Sequence, residues 1–224
     1  MGSTAFDYER DIAPLSYFAG RICHDLNNLI TSSMGAASLL ELKLSMQPQV
    51  NLSTEIERVN KSISNYRTFT QRLGQIFFEV SETRISVNPN IVLKSACEQL
   101  PRDIELVLLQ GDEKVSMEPS QIAAAIKEIV LNAIEASSDD QPITLRAEPV
   151  AGKIRITCED RGRGIKPELL PRLFTPFFSE GKRGNLVGLG LPQAGYILHQ
   201  HGSTVKISSE PGQGTIVSFD LDIT

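Results

Sequence analysis

Several short clusters in the chain hold residue types that can do chemistry at the spacing in which they stand. His24-Asp25-Leu26-Asn27-Asn28 lies in a stretch of helical character. An imidazole with pKa near ~6.5 is largely neutral at pH 7, so one ring nitrogen keeps a lone pair that can attack phosphorus. Asp25 stands next to it, placed to hold the ring and take up a proton. Asn28, four residues on, shares the histidine's helix face. Glu128 and Asn132 are also four apart in a helical stretch, and a carboxylate with a carboxamide oxygen suits Mg²⁺, a hard cation that takes oxygen ligands. Asp160-Arg161-Gly162-Arg163-Gly164 follows an expected strand. A buried Asp160 would accept a hydrogen bond from an amino group such as adenine N6, and the alternate glycines let backbone approach a flat ligand. Gly188-Leu189-Gly190 opens a helix, where free N–H groups bind phosphate. Before it, Lys182 and Arg183 sit in a glycine-bearing loop suited to a lid whose cations reach phosphates.

Taken singly, each cluster has a plainer account. A lone helical histidine is usually inert, an exposed polar pair on a helix is usually just solvated, and a glycine pair is often only a turn. Leu173-Phe174-Thr175-Pro176-Phe177-Phe178-Ser179 reads as loop-side core, and the Lys182–Arg183 loop as an ordinary flexible one. His199 and His201, near a helix end, read as structural or solvent-facing.

The elements that must position these residues fall into two regions. From about residue 10 to 79, apolar residues recur every three or four: Leu15, Phe18, Ile22, Leu26, Leu29, Ala36, Leu40 and Leu44, then Leu52, Ile56, Val59, Ile63, Tyr66, Leu73 and Ile76. That is the period of a helix with one buried stripe. A turn at Ser45-Met46-Gln47-Pro48-Gln49 separates two such helices, which predicts an antiparallel hairpin. A hairpin alone leaves its stripes uncovered. A second copy would complete a four-helix bundle, and packing on the chain's own C-terminal half is the alternative. At about 100° per residue, His24 lies about 200° from Ile22 and about 160° from Leu26, away from the seam.

After a boundary near residues 80–88 the pattern changes. Asn88-Pro89 reads as an N-cap with proline at the first helical position, opening a helix to about Leu100. Pro119–Ala136 and Leu189–His199 read as helices. Strands are expected at Ile104–Leu109, Ile143–Ala147, Lys153–Cys158, Thr204–Ser208 and Thr215–Leu221, with the second and third paired around Ala151-Gly152. Helices on one antiparallel-rich sheet make an α+β layer. The expected units are 1–82, a dimerisation and phosphotransfer hairpin, and 83–224, a nucleotide-binding domain.

The order and spacing of the C-terminal clusters resemble the N, G1, F and G2 boxes of the histidine-kinase ATP-binding domain, a Bergerat-type α/β sandwich shared with gyrase, heat-shock protein 90 and mismatch-repair ATPases. The resemblance covers about residues 88–222, including Ser209-Glu210-Pro211-Gly212-Gln213-Gly214-Thr215. It implies that Asn132 ligands Mg²⁺ and Asp160 reads the adenine of ATP. It also implies that Gly162, Gly164, Gly188 and Gly190 shape the pocket, with Leu189 between the last two. Glu128 stands where many members carry Asn or His, and where gyrase-like members carry a catalytic base. Leu186 replaces a glycine usual in that family. The His24 segment resembles the H box, His-Glu/Asp-x-x-Asn/Thr. This implies His24 as phosphoacceptor, Asp25 as general base, and Asn28 as the group that positions water when a partner is dephosphorylated.

Together these readings predict a homodimeric kinase that phosphorylates His24 and passes the group to an aspartate of a response-regulator receiver domain. One alternative is a phosphotransferase that relays phosphate between receivers over a weak ATP site. A gyrase-like ATPase clamp is another, but it leaves the hairpin and His24 without a role. The rest of the chain is consistent with this. Its 224 residues are 41% hydrophobic and 22% charged, with net charge −5, which gives no footprint for nucleic acid. Three widely spaced cysteines fit a reducing compartment rather than a disulfide framework, so the cytoplasm is expected. No apolar run reaches the roughly 18 residues of a membrane helix, and no signal peptide is expected.

Overall fold

The computed structural model describes residues 2–12, 83–98, 100–176, 178 and 188–224, with 26–28, 30, 31, 33–35, 37, 38, 40–42, 44, 45, 56, 57, 59–61, 63, 64, 66, 67 and 70. The chain divides into two compact units.

The smaller unit is helical at every described position between 26 and 45 and between 56 and 70. Thr70 Oγ1 donates to Asn27 Oδ1 at 2.9 Å, and Asn60 Nδ2 donates to Glu41 Oε1 at 3.1 Å. The start of one segment therefore meets the end of the other, as in an antiparallel hairpin. Ile30, Ala37 and Ile63 form a buried cluster. Leu40, Val59 and Tyr66, all in the apolar stripe, are 52, 46 and 58% exposed within one chain.

The larger unit is an α/β sandwich. Six strands make its main sheet: β1 Gly2–Ala5, β3 Glu105–Val107, β5 Ile143–Val150, β6 Lys153–Asp160, β7 Lys206–Glu210 and β8 Gly214–Asp222. Their spatial order is β1-β7-β8-β6-β5-β3. All neighbours are antiparallel except β3 and β5. A separate two-stranded sheet pairs β2 Ile85–Val87 with β4 Val115–Met117. The helices are α1 Tyr8–Asp11, α2 Pro89–Cys97, α3 Pro119–Ala136 and α4 Gly190–Gln200.

Alternation sets which sheet face is buried. Ile143, Leu145 and Ala147 of β5, Ile154, Ile156 and Cys158 of β6, and Phe219 and Leu221 of β8 are buried, as are Val92 and Leu93 of α2, Ile122, Ile126 and Val130 of α3, and Ala194 and Leu198 of α4. Each strand thus sends every second side chain to a core that the amphipathic helices close. The same burial pushes the Cys158 thiol up to about 12, so it packs as an inert apolar group. Two of the helices begin where the sequence says they should. Asn88 Oδ1 accepts from Asn90 N at 2.9 Å ahead of Pro89. Glu118 accepts from Ser120 N and Gln121 N ahead of Pro119. These caps satisfy amides that have no partner inside the helix.

One expected boundary is corrected. Residues 2–12, assigned from the sequence to the 1–82 hairpin unit, cluster with the larger unit. β1 pairs with β7 from Gly2↔Ser209 to Ala5↔Lys206, and Phe6 and Ile12 are buried. Residues 10–12, read as the start of the long helix, instead end the four-residue α1.

Candidate functional site

The corner between β6, α3 and the β7–β8 turn is built from backbone at close quarters. Asp160 ends β6 and is 5% exposed. Its Oδ1 accepts from Gly162 N at 2.8 Å. Burial pushes its pKa up, although the amides of Gly162 and Thr215 and the nearby Arg163 pull the other way. A carboxylate with further acceptor capacity is thus held in a shielded corner.

The glycines explain how the corner closes. A Cβ on Gly162 would stand 2.3 Å from Ala136 O, and one on Gly164 2.0 Å from Glu210 O. Gly164 also has φ of +64°, a region L side chains rarely enter. Their freedom serves backbone-on-backbone packing: Arg163 N donates to Ala136 O at 3.0 Å, and Gly212 N to Arg163 O at 2.8 Å. Sequence reasoning assigned this closeness to a ligand, and the structure shows the chain itself using it. It also gave no role to Ser209, named only within the closing segment. That hydroxyl is 0% exposed, accepts from Ile165 N at 2.9 Å and donates to Gly214 O at 2.8 Å, which ties the 161–165 turn to the β7–β8 hairpin. The only signal was the company of glycines around it.

On α3, Asn132 Nδ2 donates to Glu128 O at 2.8 Å. The amide nitrogen is committed, and the oxygen is the atom left to meet a cation. Glu128 points its carboxylate at the start of α4: a Cβ on Gly190 would stand 2.6 Å from Oε2. A negative group there complements the helix dipole. The N-cap residue, Leu189, makes no side-chain cap bond of its own, and Gly188 turns into the helix with φ of +62°. The structure therefore brings Glu128 and Gly190 together and places Asn132 on the same helix face. Among the described residues no group of three His, Cys, Asp or Glu side chains could hold a metal.

Phe174 is 1% exposed, as the plainer account expected of it, and Arg172 lies 4.3 Å from the Phe178 ring centroid; Phe177 and Ser179 lie outside the described residues. His201 is structural as read. It accepts from Glu118 N through Nε2 at 3.2 Å, with Nδ1 2.8 Å from Ile197 O. Asn28 is helical and exposed. His24, Asp25, Lys182, Arg183 and Leu186 lie outside the described residues.

Residues 117–224 match the family described as histidine kinase-, DNA gyrase B- and HSP90-like ATPase. The chain is 23% identical over 219 residues to the sensor histidine kinase ZraS of Escherichia coli (strain K12), covering 95% of this chain and 46% of that protein. It is 27% identical over 214 residues to the alginate biosynthesis sensor protein KinB of Pseudomonas aeruginosa, covering 89% and 35%. Among solved structures, histidine kinase ThkA in complex with response regulator protein TrrA superposes with TM-score 0.62 at 21% identity, over 94% of this chain and 62% of that one. The chain spans less than half the length of these two curated relatives. The domain at residues 117–224 is an ATPase fold of the kinase, gyrase and HSP90 group. More narrowly, the chain carries a histidine-kinase catalytic and ATP-binding core. No helix among the described residues is long and apolar enough to cross a membrane.

Proposed function

We propose that this chain is a histidine kinase in which His24 accepts the γ-phosphoryl group of ATP and passes it to an aspartate of a response-regulator receiver domain. The observation that carries the reading is the Asp160 corner. A 5% exposed carboxylate whose pKa burial raises is costly to keep, and a bound amino group that donates to it supplies the reason. The residues present fit Mg–ATP. Asp160 would take the adenine amino group, the Asn132 oxygen with Glu128 beside it would hold Mg²⁺, and the amides at Gly188, Leu189 and Gly190 would face phosphate. When bound, the ion screens charge on the transferring group.

The chain's own part is to position and to move a proton. Attack by a neutral His24 nitrogen forms the N–P bond as the bond from the γ-phosphorus to the bridging oxygen breaks, and Asp25 takes the proton from the other ring nitrogen. Lys182 and Arg183 would offset phosphate charge from the lid. Asn28 would position water for dephosphorylation of the partner. Leu40, Val59 and Tyr66, exposed on the hairpin, support a homodimeric four-helix bundle as the docking platform. A cytoplasmic location fits this chemistry.

Calorimetric titration with Mg²⁺ and a non-hydrolysable ATP analogue tests the pocket. Saturable one-site binding is expected, and its absence removes the kinase reading. Labelled protein chased with an isolated receiver domain should then lose its label to that domain.

A further inference from the structure

Residues 2–12 form a strap on the larger unit, and it touches the elements that frame the candidate pocket. β1 covers β7 over four residue pairs. Phe6 N extends the contact by donating to Val205 O at 3.0 Å. Without β1, β7 would be an open edge. Past the strand, the Phe6 ring meets Phe174 edge-on, with centroids 5.4 Å apart. It also lies so close over Gly195 that a Cβ there would stand 2.4 Å from Cδ2. Tyr8 stacks on His199 at 5.1 Å. Asp7 caps α1 by accepting from Arg10 N, and Ile12 closes the strap at 0% exposure.

Helix α4 is therefore gripped from two sides. Gly190 abuts Glu128 of α3, and Gly195 abuts Phe6. Five residues correspond to about 140° around a helix, so the two grips oppose each other. The Phe6 contact needs glycine, because a Cβ on Gly195 would meet three ring atoms within 2.8 Å, whereas the Gly190 contact is with the end of the flexible Glu128 side chain. Between them they seat the helix whose first amides the proposed function assigns to phosphate. Phe6 also holds Phe174, at the base of the 173–178 segment.

We propose that Phe6, presented by β1, is a positioning residue for nucleotide binding. It sets α4, and with it the amides of Gly188, Leu189 and Gly190, against the Glu128 and Asn132 face of α3. This rests on the nucleotide reading above.

The test is calorimetric titration of the full chain with Mg²⁺ and a non-hydrolysable ATP analogue, at a temperature where circular dichroism shows each variant folded. Wild type is measured first, and failure there sinks the nucleotide reading itself. Given wild-type binding, Phe6→Ala is expected to weaken affinity about tenfold, and Phe6→Leu, which refills most of the space, by less than about threefold. Gly195→Ala drives the ring out from the other side. It should weaken affinity as much as Phe6→Ala and add little to it in the double variant, where loss of the ring leaves room for the new methyl. Such affinities, read on folded protein, would not move if the strap only added stability. Wild-type affinity in Phe6→Ala or Gly195→Ala, or independent additive losses, overturns the proposal. If Phe6→Ala does not fold, Phe6→Leu and Gly195→Ala decide it by the same criteria.

Discussion

At the scale of single residues, the corner trades stability for binding. In the folded chain Asp160 has its carboxyl pKa raised by burial. A raised folded value stabilises fully below the unfolded value near ~3.9, and that contribution is lost as pH rises through the folded value. At neutral pH the ionised group is therefore a cost. Asp160→Asn keeps an acceptor for Gly162 N and removes the charge. It should leave the melting temperature unchanged or higher while cutting nucleotide affinity by roughly a hundredfold, measured by thermal melts and calorimetry on the same sample. His201 works in the opposite sense. Burial lowers its pKa, and the Ile197 carbonyl only partly offsets this. Its contribution is complete above the unfolded value near ~6.5 and is lost as pH falls below it. Urea denaturation should show stability declining below that pH, and His201→Asn should flatten that part of the slope. The spacing of Asp160, Gly162 and Gly164 was legible because the motif demands those residue types. Ser209 was not, since its bond to Ile165 joins segments more than forty residues apart and a buried serine leaves no periodic mark.

At the scale of elements, turn and cap chemistry set the framework. The β5–β6 hairpin closes with Ala151 at φ +50° and Gly152 at φ +80°, both in the left-handed region that two-residue hairpin loops require. Glycine accepts this freely, while alanine is strained there by about 1 kcal/mol. Ala151→Gly or Ala151→Asn should therefore raise stability by about 0.5–1 kcal/mol, read as a higher denaturation midpoint with an unchanged slope. The same chemistry made α3 readable to its ends: proline follows a capping side chain, and the apolar period of about 3.6 runs through the helix. The strands β5 and β6 were readable from alternation. β2 and β4, three residues each, are too short to show a period. β1 was illegible for a different reason. Gly-Ser-Thr-Ala has no strand preference of its own and is ordered by the unpaired edge of β7, a partner at the far end of the sequence.

At the scale of the whole molecule, the larger unit holds residues on both sides of the smaller one, with residues 2–12 before it and residues from 83 on after it, so the smaller helical unit interrupts the larger one in sequence. The change of periodic pattern marked a boundary near the return and gave no sign of the departure, which a short strand and the buried Phe6 and Ile12 carry. The smaller unit keeps Leu40, Leu42, Val59 and Tyr66 at 46–58% exposure within one chain. If a second copy covers it, Leu40→Glu with Tyr66→Glu should halve the mass seen by light scattering at micromolar protein. The proposed function requires a nucleotide at Asp160 to phosphorylate His24. Its most direct test is incubation of the purified chain with Mg²⁺ and γ-³²P-labelled ATP, beside His24→Gln. The account predicts an acid-labile, base-stable label on the wild type and none on His24→Gln, with nucleotide affinity the same in both. Label that persists in His24→Gln, or that survives acid, would contradict it.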